Sequence, residues 1–185
     1  MIHHNLPQPS SWVLRWCREI EPTGRVLDLA CGSGRHSRLL LQSGYRVLAA
    51  DQDISGLADL QGQSNFESIQ VDLENPPWPF EPKSFDGIIV TNYLFRPTLN
   101  LLMAALKPGG VLIYETFAQG NGEFGRPSNP DFLLQSGELL ALVSESARVI
   151  AYEDIYLDVP RPALVQRICA VKNGGSPRYF PAPSN

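Results

Sequence analysis

Arg25-Val26-Leu27-Asp28-Leu29-Ala30-Cys31-Gly32-Ser33-Gly34-Arg35 is the stretch that decides how the rest of the chain folds. Val26, Leu27, Leu29 and Ala30 make a short apolar run broken only by Asp28. Such a run suits a strand buried on both faces of a parallel sheet. Gly32 and Gly34 follow at once, and a helical pattern opens at His36. Strand, tight glycine turn and helix are the first half of a βαβ unit of the kind that holds a nucleotide. Glycines there let backbone come close to a ligand, with the helix amides pointing at it.

The neighbourhood of the turn sharpens this reading. Asp28 lies inside the strand, where an NAD-type site usually carries an apolar residue. The third glycine of a G-x-G-x-x-G pattern would fall at position 37, which is Ser37. The next strand, Tyr45 to Ala50, runs into Asp51, and a carboxylate at that strand end can accept hydrogen bonds from ribose hydroxyls. Ser68 to Leu73 reads as a third strand that carries Asp72 at its end. Apolar runs at Phe85–Asn92 and Val111–Phe117 give strands four and five. Helices are predicted over His36–Ser43, with Gly44 as its stop, over Ser55–Gln61, over Thr98–Lys107 and over Ser136–Val143, the last capped by Ser136. Before them, Ser10 or Ser11 caps a helix reaching Ile20, with Trp12, Val13, Trp16 and Ile20 near helical spacing; it covers one sheet edge and is a candidate wall of the substrate site.

Three acids at three successive strand ends, beside Leu-Asp-Leu-Ala-Cys-Gly-Ser-Gly, resemble the class I S-adenosylmethionine-dependent methyltransferases, over roughly residues 10 to 172. Leu-Lys-Pro-Gly-Gly-Val-Leu-Ile is another phrase common in that family. Size and element set are similar to the small tellurite-resistance-type members. The resemblance implies an α/β, doubly wound, seven-stranded and mostly parallel sheet. Helices cover both faces. The last strand, Ala163–Lys172, pairs with Ala147–Ile155 as a closing hairpin and inserts antiparallel to its neighbours. One domain is expected over 1–172, with a frayed tail over 173–185.

The same resemblance implies S-adenosyl-L-methionine as cofactor. Asp28 would orient its amino-acid end directly or through the glycine turn, with Ala30, Gly32 and Gly34 giving room. Asp51 would bind the ribose, with Gln52 beside it. Asp72 and the Leu73 backbone would meet the adenine edge, and Asn92 would lie near the methyl group. Tyr93, Glu115, Arg126 and His36 are the candidates near the acceptor. His36 has two readings, a contact to cofactor or substrate and an exposed first-turn residue. Arg35 is likewise placed to meet an anion or water. No metal site is expected: Cys17, Cys31 and Cys169 form no C-x-x-C pair, and His3 and His4 are read as a solvated tail. Cys31 is read as a small filler of the turn rather than a nucleophile.

Composition narrows the partners. The chain has 185 residues, 43% apolar, and a net charge of −4. That length can bury a proper core in one domain. No stripe of Lys and Arg is present, which argues against strong non-specific binding to nucleic acid or acidic membranes without excluding a small RNA substrate. No apolar run approaches about 18 residues and no signal-peptide pattern opens the chain, so a reducing cytoplasm is the expected setting. The expected reaction is methyl transfer to a small molecule. RNA methylation, NAD(P)-dependent oxidoreduction and a non-catalytic binding domain stay open.

Two loops complete the reading. Glu74 to Pro82 carries four prolines, which exclude a helix or central strand; Trp78 and Phe80 are read as anchors of this rigid loop. Ala118 to Pro130 leaves the ligand-binding edge of the sheet and is read as a lid or wall of the substrate site, carrying Glu123, Phe124, Arg126 and Asn129.

Overall fold

The computed structural model describes residues 8–75 and 77–176. Five parallel strands form its centre: β1 (Arg25–Leu29), β2 (Arg46–Asp51), β3 (Phe66–Gln70), β4 (Phe85–Thr91) and β5 (Leu106–Phe117). Strands β6 (Ala147–Leu157) and β7 (Ala163–Lys172) close the sheet as a hairpin. The order is β3-β2-β1-β4-β5-β7-β6, and β7 runs antiparallel to both β5 and β6. The reversed final strand is therefore present as expected.

Both faces of the sheet are buried because the apolar runs alternate sides. Leu27, Leu48, Ala50, Ile88 and Val90 pack under α3 (Leu99–Ala105) and α4 (Glu138–Val143). Val26, Val47, Ala49, Ile89 and Ile113 pack under α1 (Ser11–Trp16) and α2 (Arg35–Gln42). Two-sided burial of this kind is what continuous rather than alternating apolar strands encode. Trp12 and Trp16 are core residues of the second layer, with ring centroids 5.7 Å apart.

Local chemistry sets several boundaries away from the sequence expectation. Ser10 caps α1, its Oγ accepting the Trp12 N–H at 3.1 Å, and after Trp16 the chain tightens into a 3₁₀ turn over Cys17–Glu19. Ser55–Leu60 is 3₁₀ rather than α, entered through Asp53, whose Oδ1 accepts the Ser55 N–H. The third helix stops at Ala105, short of Lys107, because Leu106 already joins β5. Lys107 binds Asp86 at 2.9 Å, and Pro108-Gly109-Gly110 lies inside the irregular start of that strand. Ser136 is not the cap of α4. Gly137 holds that position in the left-handed region at φ 75°, and the Ser136 hydroxyl donates to Asp154 instead.

Trp78 and Phe80 anchor the proline-rich loop by edge-on contact with each other, and Phe80 with Phe85. Of the expected tail, Asn173 still donates to the Ser146 carbonyl and Gly175 packs on Gly109; residues from 177 on lie outside the described residues, as do His3 and His4. Among the described residues no helix is long and apolar enough to cross a membrane.

Candidate active site

The C-terminal ends of the parallel strands open into two adjoining cavities. The first is a cleft of about 490 Å³ over β1, β2 and β4. Asp51 and Gln52 line it from the end of β2, Ala30 from the end of β1, and Asn92 and Tyr93 from the end of β4. Val71, Asp72, Leu73 and Glu74 form the far wall. Open α/β sheets bind ligands at this edge, where neighbouring crossovers leave on opposite faces.

Asp51 organises the cleft. Its Oδ2 accepts the Gly32 N–H at 2.8 Å and its Oδ1 accepts the Asp53 N–H at 3.1 Å. A carboxylate has about four lone-pair sites, so acceptor capacity remains for a ligand's hydroxyls. Asp72 lies two residues past the end of β3, not on it. Its carboxylate turns the chain by accepting from the Glu74 N–H at 3.0 Å and from the Asn75 amide. Tyr93 contributes a buried hydroxyl without a hydrogen-bond partner among the described residues. Burial, and then the carboxylates of Glu74, Asp72 and Asp51, push that phenol well above its ordinary range, so it stays protonated. An orphaned buried donor beside a polar cleft is the mark of an absent ligand atom or water.

The two glycines of the turn have different duties. Gly32 is exposed at φ 53°, and a Cβ added there would meet no atom within 4 Å. Gly34 is buried at φ 77°, where a Cβ would strike Leu57. Gly34 thus serves packing against Leu57, while Gly32 leaves open space beside its backbone next to Asp51. Asp28 does not line the cleft either. It is 2% exposed and accepts the Ser37 hydroxyl at 2.6 Å. Burial pushes its carboxyl up to about 6, against the opposing pull of Ser37 and Arg35. Asp28 therefore acts on the turn through the first turn of α2, the indirect one of its two readings.

The second cavity, about 810 Å³, lies between the chain's N-terminal segment, β5 and the β6–β7 hairpin. Asn92 lines both cavities and is their junction; it stands at φ 55°, its N–H donating to the Glu115 carbonyl at 2.9 Å. Ser10 and Ser11 line it too, so the start of α1 forms part of this cavity's wall. Glu115 lines it from the end of β5, accepting from Ser10 Oγ at 2.8 Å and from Arg167 at 3.3 Å. Arg167 also binds Glu153 and stacks over the Trp12 ring at 4.7 Å. Glu115, Arg167 and Glu153 are register partners across β5, β7 and β6. Opposite charges directly across adjacent strands stabilise such a row.

His36 and Arg126 sit elsewhere. His36 is 1% exposed. Its Nε2 accepts the Ser10 N–H at 3.0 Å, which leaves the proton on Nδ1, 3.4 Å from Thr91 Oγ1. Burial, then Arg35, lowers it to about 3, so it is neutral. Neither of its two sequence readings describes it: it is a strut that seats the N-terminal segment on the sheet. Arg126 is exposed and lines neither cavity, which removes it from the acceptor candidates. Its loop is not a lid over the site. Asn121 ties the loop to itself and to β7, bonding Pro127 O and Leu164 N, and Phe124 packs on Tyr156. The wall expected of that loop comes from the β6–β7 linker, through Val159, Pro160 and Arg161. Sequence reading missed Arg161, Arg167 and Phe117; the one available signal was the pairing of Glu115 with a basic residue on an antiparallel neighbour.

Residues 26–110 match the sequence family described as a methyltransferase domain. Over that stretch the chain is similar to a methyltransferase domain. The demethylmenaquinone methyltransferase of Clavibacter sepedonicus is 32% identical over 118 residues, 58% of this chain and 47% of that protein. The chain spans about half the length of the curated relatives it matches. TehB from Haemophilus influenzae superposes with a TM-score of 0.76 at 19% identity, over 92% of this chain and 64% of its own. The 1,6-didemethyltoxoflavin-N1-methyltransferase of Burkholderia thailandensis, solved with 1,6-didemethyltoxoflavin and S-adenosylhomocysteine, gives 0.66 at 16% identity, covering 88% and 76%. This chain and these solved structures share the class I fold, with the antiparallel β7 in place.

Proposed function

We propose that this chain transfers a methyl group from S-adenosyl-L-methionine to a small-molecule acceptor. The observation that carries the reading is the meeting of a polar, acid-lined cleft and a larger, mostly apolar cavity at one residue, Asn92. When bound, S-adenosylmethionine supplies a methyl group made electrophilic by its sulfonium.

The residues of the cleft fit such a cofactor. Asp51 has spare acceptor sites for a ribose. Val71 and Leu73 offer apolar surface to an adenine, with the Asp72 turn beside them. Gly32 leaves backbone open for the amino-acid end. Tyr93 Oη needs a partner. The chain's own task is then to hold a nucleophile at the junction. Positioning of that kind supplies roughly 7–11 kcal/mol of a barrier. Glu115 lies at the acceptor side, held by Ser10 and Arg167, and takes the proton that an O–H or N–H acceptor sheds. His36, buried and neutral, has no part in this proton path. A cytoplasmic setting belongs to the same reading, supported by the buried free thiols of Cys17 and Cys31.

Calorimetry with S-adenosylhomocysteine and with NAD tests the cofactor. Saturable binding of the first and none of the second is expected; the reverse sinks the proposal. A labelled methyl donor offered with thiols, oxyanions, small amines, organic acids and RNA then reads the acceptor.

A further inference from the structure

The acceptor cavity has a charge imbalance set in an apolar frame. Phe117, Leu157, Val159, Pro160, Ala163 and Val165 supply most of its wall. Its charged lining is three arginines and one glutamate: Arg35, Arg161, Arg167 and Glu115. Arg167 is neutralised, since it bonds both Glu115 and Glu153. Arg35 and Arg161 are not. Arg35 donates to the Gln8 carbonyl at 3.1 Å, and Arg161 lies over the Phe117 ring at 5.4 Å; neither has a carboxylate partner among the described residues. The linker's own acid, Asp158, accepts instead from Tyr156 Oη at 3.3 Å. Two unpaired cations in a concave, largely apolar wall attract an anion, and the wall rewards an apolar body attached to it.

We infer that the acceptor is an amphipathic acid, a compact aromatic or alkyl frame whose anionic group meets Arg161 and Arg35 while its nucleophilic atom reaches Asn92. This rests on the methyl-transfer reading for the direction of the ligand but not for its class. A bare inorganic oxyanion would leave the apolar wall unused. A neutral apolar acceptor would leave both guanidinium groups without counter-charge. The Arg161 guanidinium lies over the Phe117 ring, so cation and aromatic wall stand side by side in the cavity.

Four probes are titrated into the protein loaded with S-adenosylhomocysteine and into the unloaded protein: 2-naphthoate, 2-naphthyl phosphate, 2-naphthamide and selenite. The two cavities share Asn92 alone, so the unloaded titration reads the acid even where the cofactor reading fails. One or both naphthyl acids bind saturably, at least about tenfold tighter than the amide and selenite, and the tighter acid names the anion. Arg161→Gln weakens the acid by about tenfold and leaves the amide unchanged, while Arg161→Lys keeps most of the acid's affinity. S-adenosylhomocysteine affinity is unchanged in both variants. Equal binding of acid and amide, selenite binding as tightly as the acids, or absence of acid binding overturns the inference. Loss of S-adenosylhomocysteine binding in the wild-type protein overturns the methyl-transfer reading instead.

Discussion

Asp51 at the end of β2 and Gly32 in the first glycine turn are joined by a 2.8 Å hydrogen bond from the Gly32 N–H to Asp51 Oδ2. The carboxylate that faces the cleft is thus also the clamp on the turn beside it. One side chain couples the conformation of the turn to the site where a ribose would lie.

Replacing Asp51 with Ala removes both contacts. A hydrogen bond to a charged group contributes about 1.5–3 kcal/mol, so S-adenosylhomocysteine affinity should fall by roughly ten- to 150-fold in calorimetry. Asp51→Asn keeps an oxygen for Gly32 and should lose less. Wild-type affinity in the Ala variant would withdraw the ribose role.

Asp28 sets one pH dependence. Its folded-state carboxyl is raised to about 6 from an ordinary 3.8 by burial, so the folded protein holds a proton that the unfolded chain releases. The group's contribution is full below the unfolded value and is lost as pH rises through about 6, a difference of about 3 kcal/mol. Denaturant titrations of wild type and Asp28→Asn should therefore diverge between about pH 4 and about pH 7, with the wild type losing ground as pH rises. Parallel curves would mean that the buried carboxyl stays charged.

His36 works in the opposite sense over an overlapping range. Burial lowers it from 6.5 to about 3, so protons favour the unfolded chain as pH falls through 6.5. The cost reaches about 2 kcal/mol near pH 5. His36→Gln keeps hydrogen-bonding capacity toward Ser10 and should lose this acid sensitivity. The rate profile of methyl transfer should carry no inflection from His36; one that disappears in the Gln variant contradicts its neutral, buried state.

Glu115 is the acidic group lining the second cavity, the acceptor side in the proposed reading. Glu115→Gln keeps one oxygen for Arg167, and the Ser10 hydroxyl can turn to accept from the new amide, so folding should survive. Loss of a general base typically costs about 10²- to 10⁴-fold, and kcat should fall by about that much while S-adenosylhomocysteine affinity holds. An unchanged kcat would reduce Glu115 to a counter-ion for Arg167.

Much of the parallel sheet was legible because each buried strand announces itself in a few consecutive residues. The runs at Val26–Ala30, Arg46–Ala50 and Phe85–Thr91 needed no knowledge of their neighbours. The helix boundaries were less legible, because competition decided them: Leu106 was drawn into β5, and Gly137 displaced Ser136 as the cap of α4. Ala30, Asp51, Gln52, Asp72, Leu73, Asn92 and Tyr93, which line the first cleft, were read from the glycine turn and the strand ends; Val71 and Glu74 were not. Asp28 and Gly34, read from the same motif, proved to be buried supports, since a motif records which residues surround a turn and not which way each one faces.

What the amino-acid order alone determined is the α/β class and the acids at the strand ends around Asp51, consequences of short-range pattern; the reversed hairpin ending was implied by the family resemblance. What only the tertiary structure decided is the second cavity. Its walls come from residues 8–11, 35, 92, 115–117 and 157–167, which meet only when β7 inserts beside β5 and the N-terminal segment is seated by His36. Whether Glu115 is paired, Arg161 unpaired or Arg126 remote depends on cross-strand register and chain reversal. Those are properties of the packed sheet, and no local stretch of the sequence contains them.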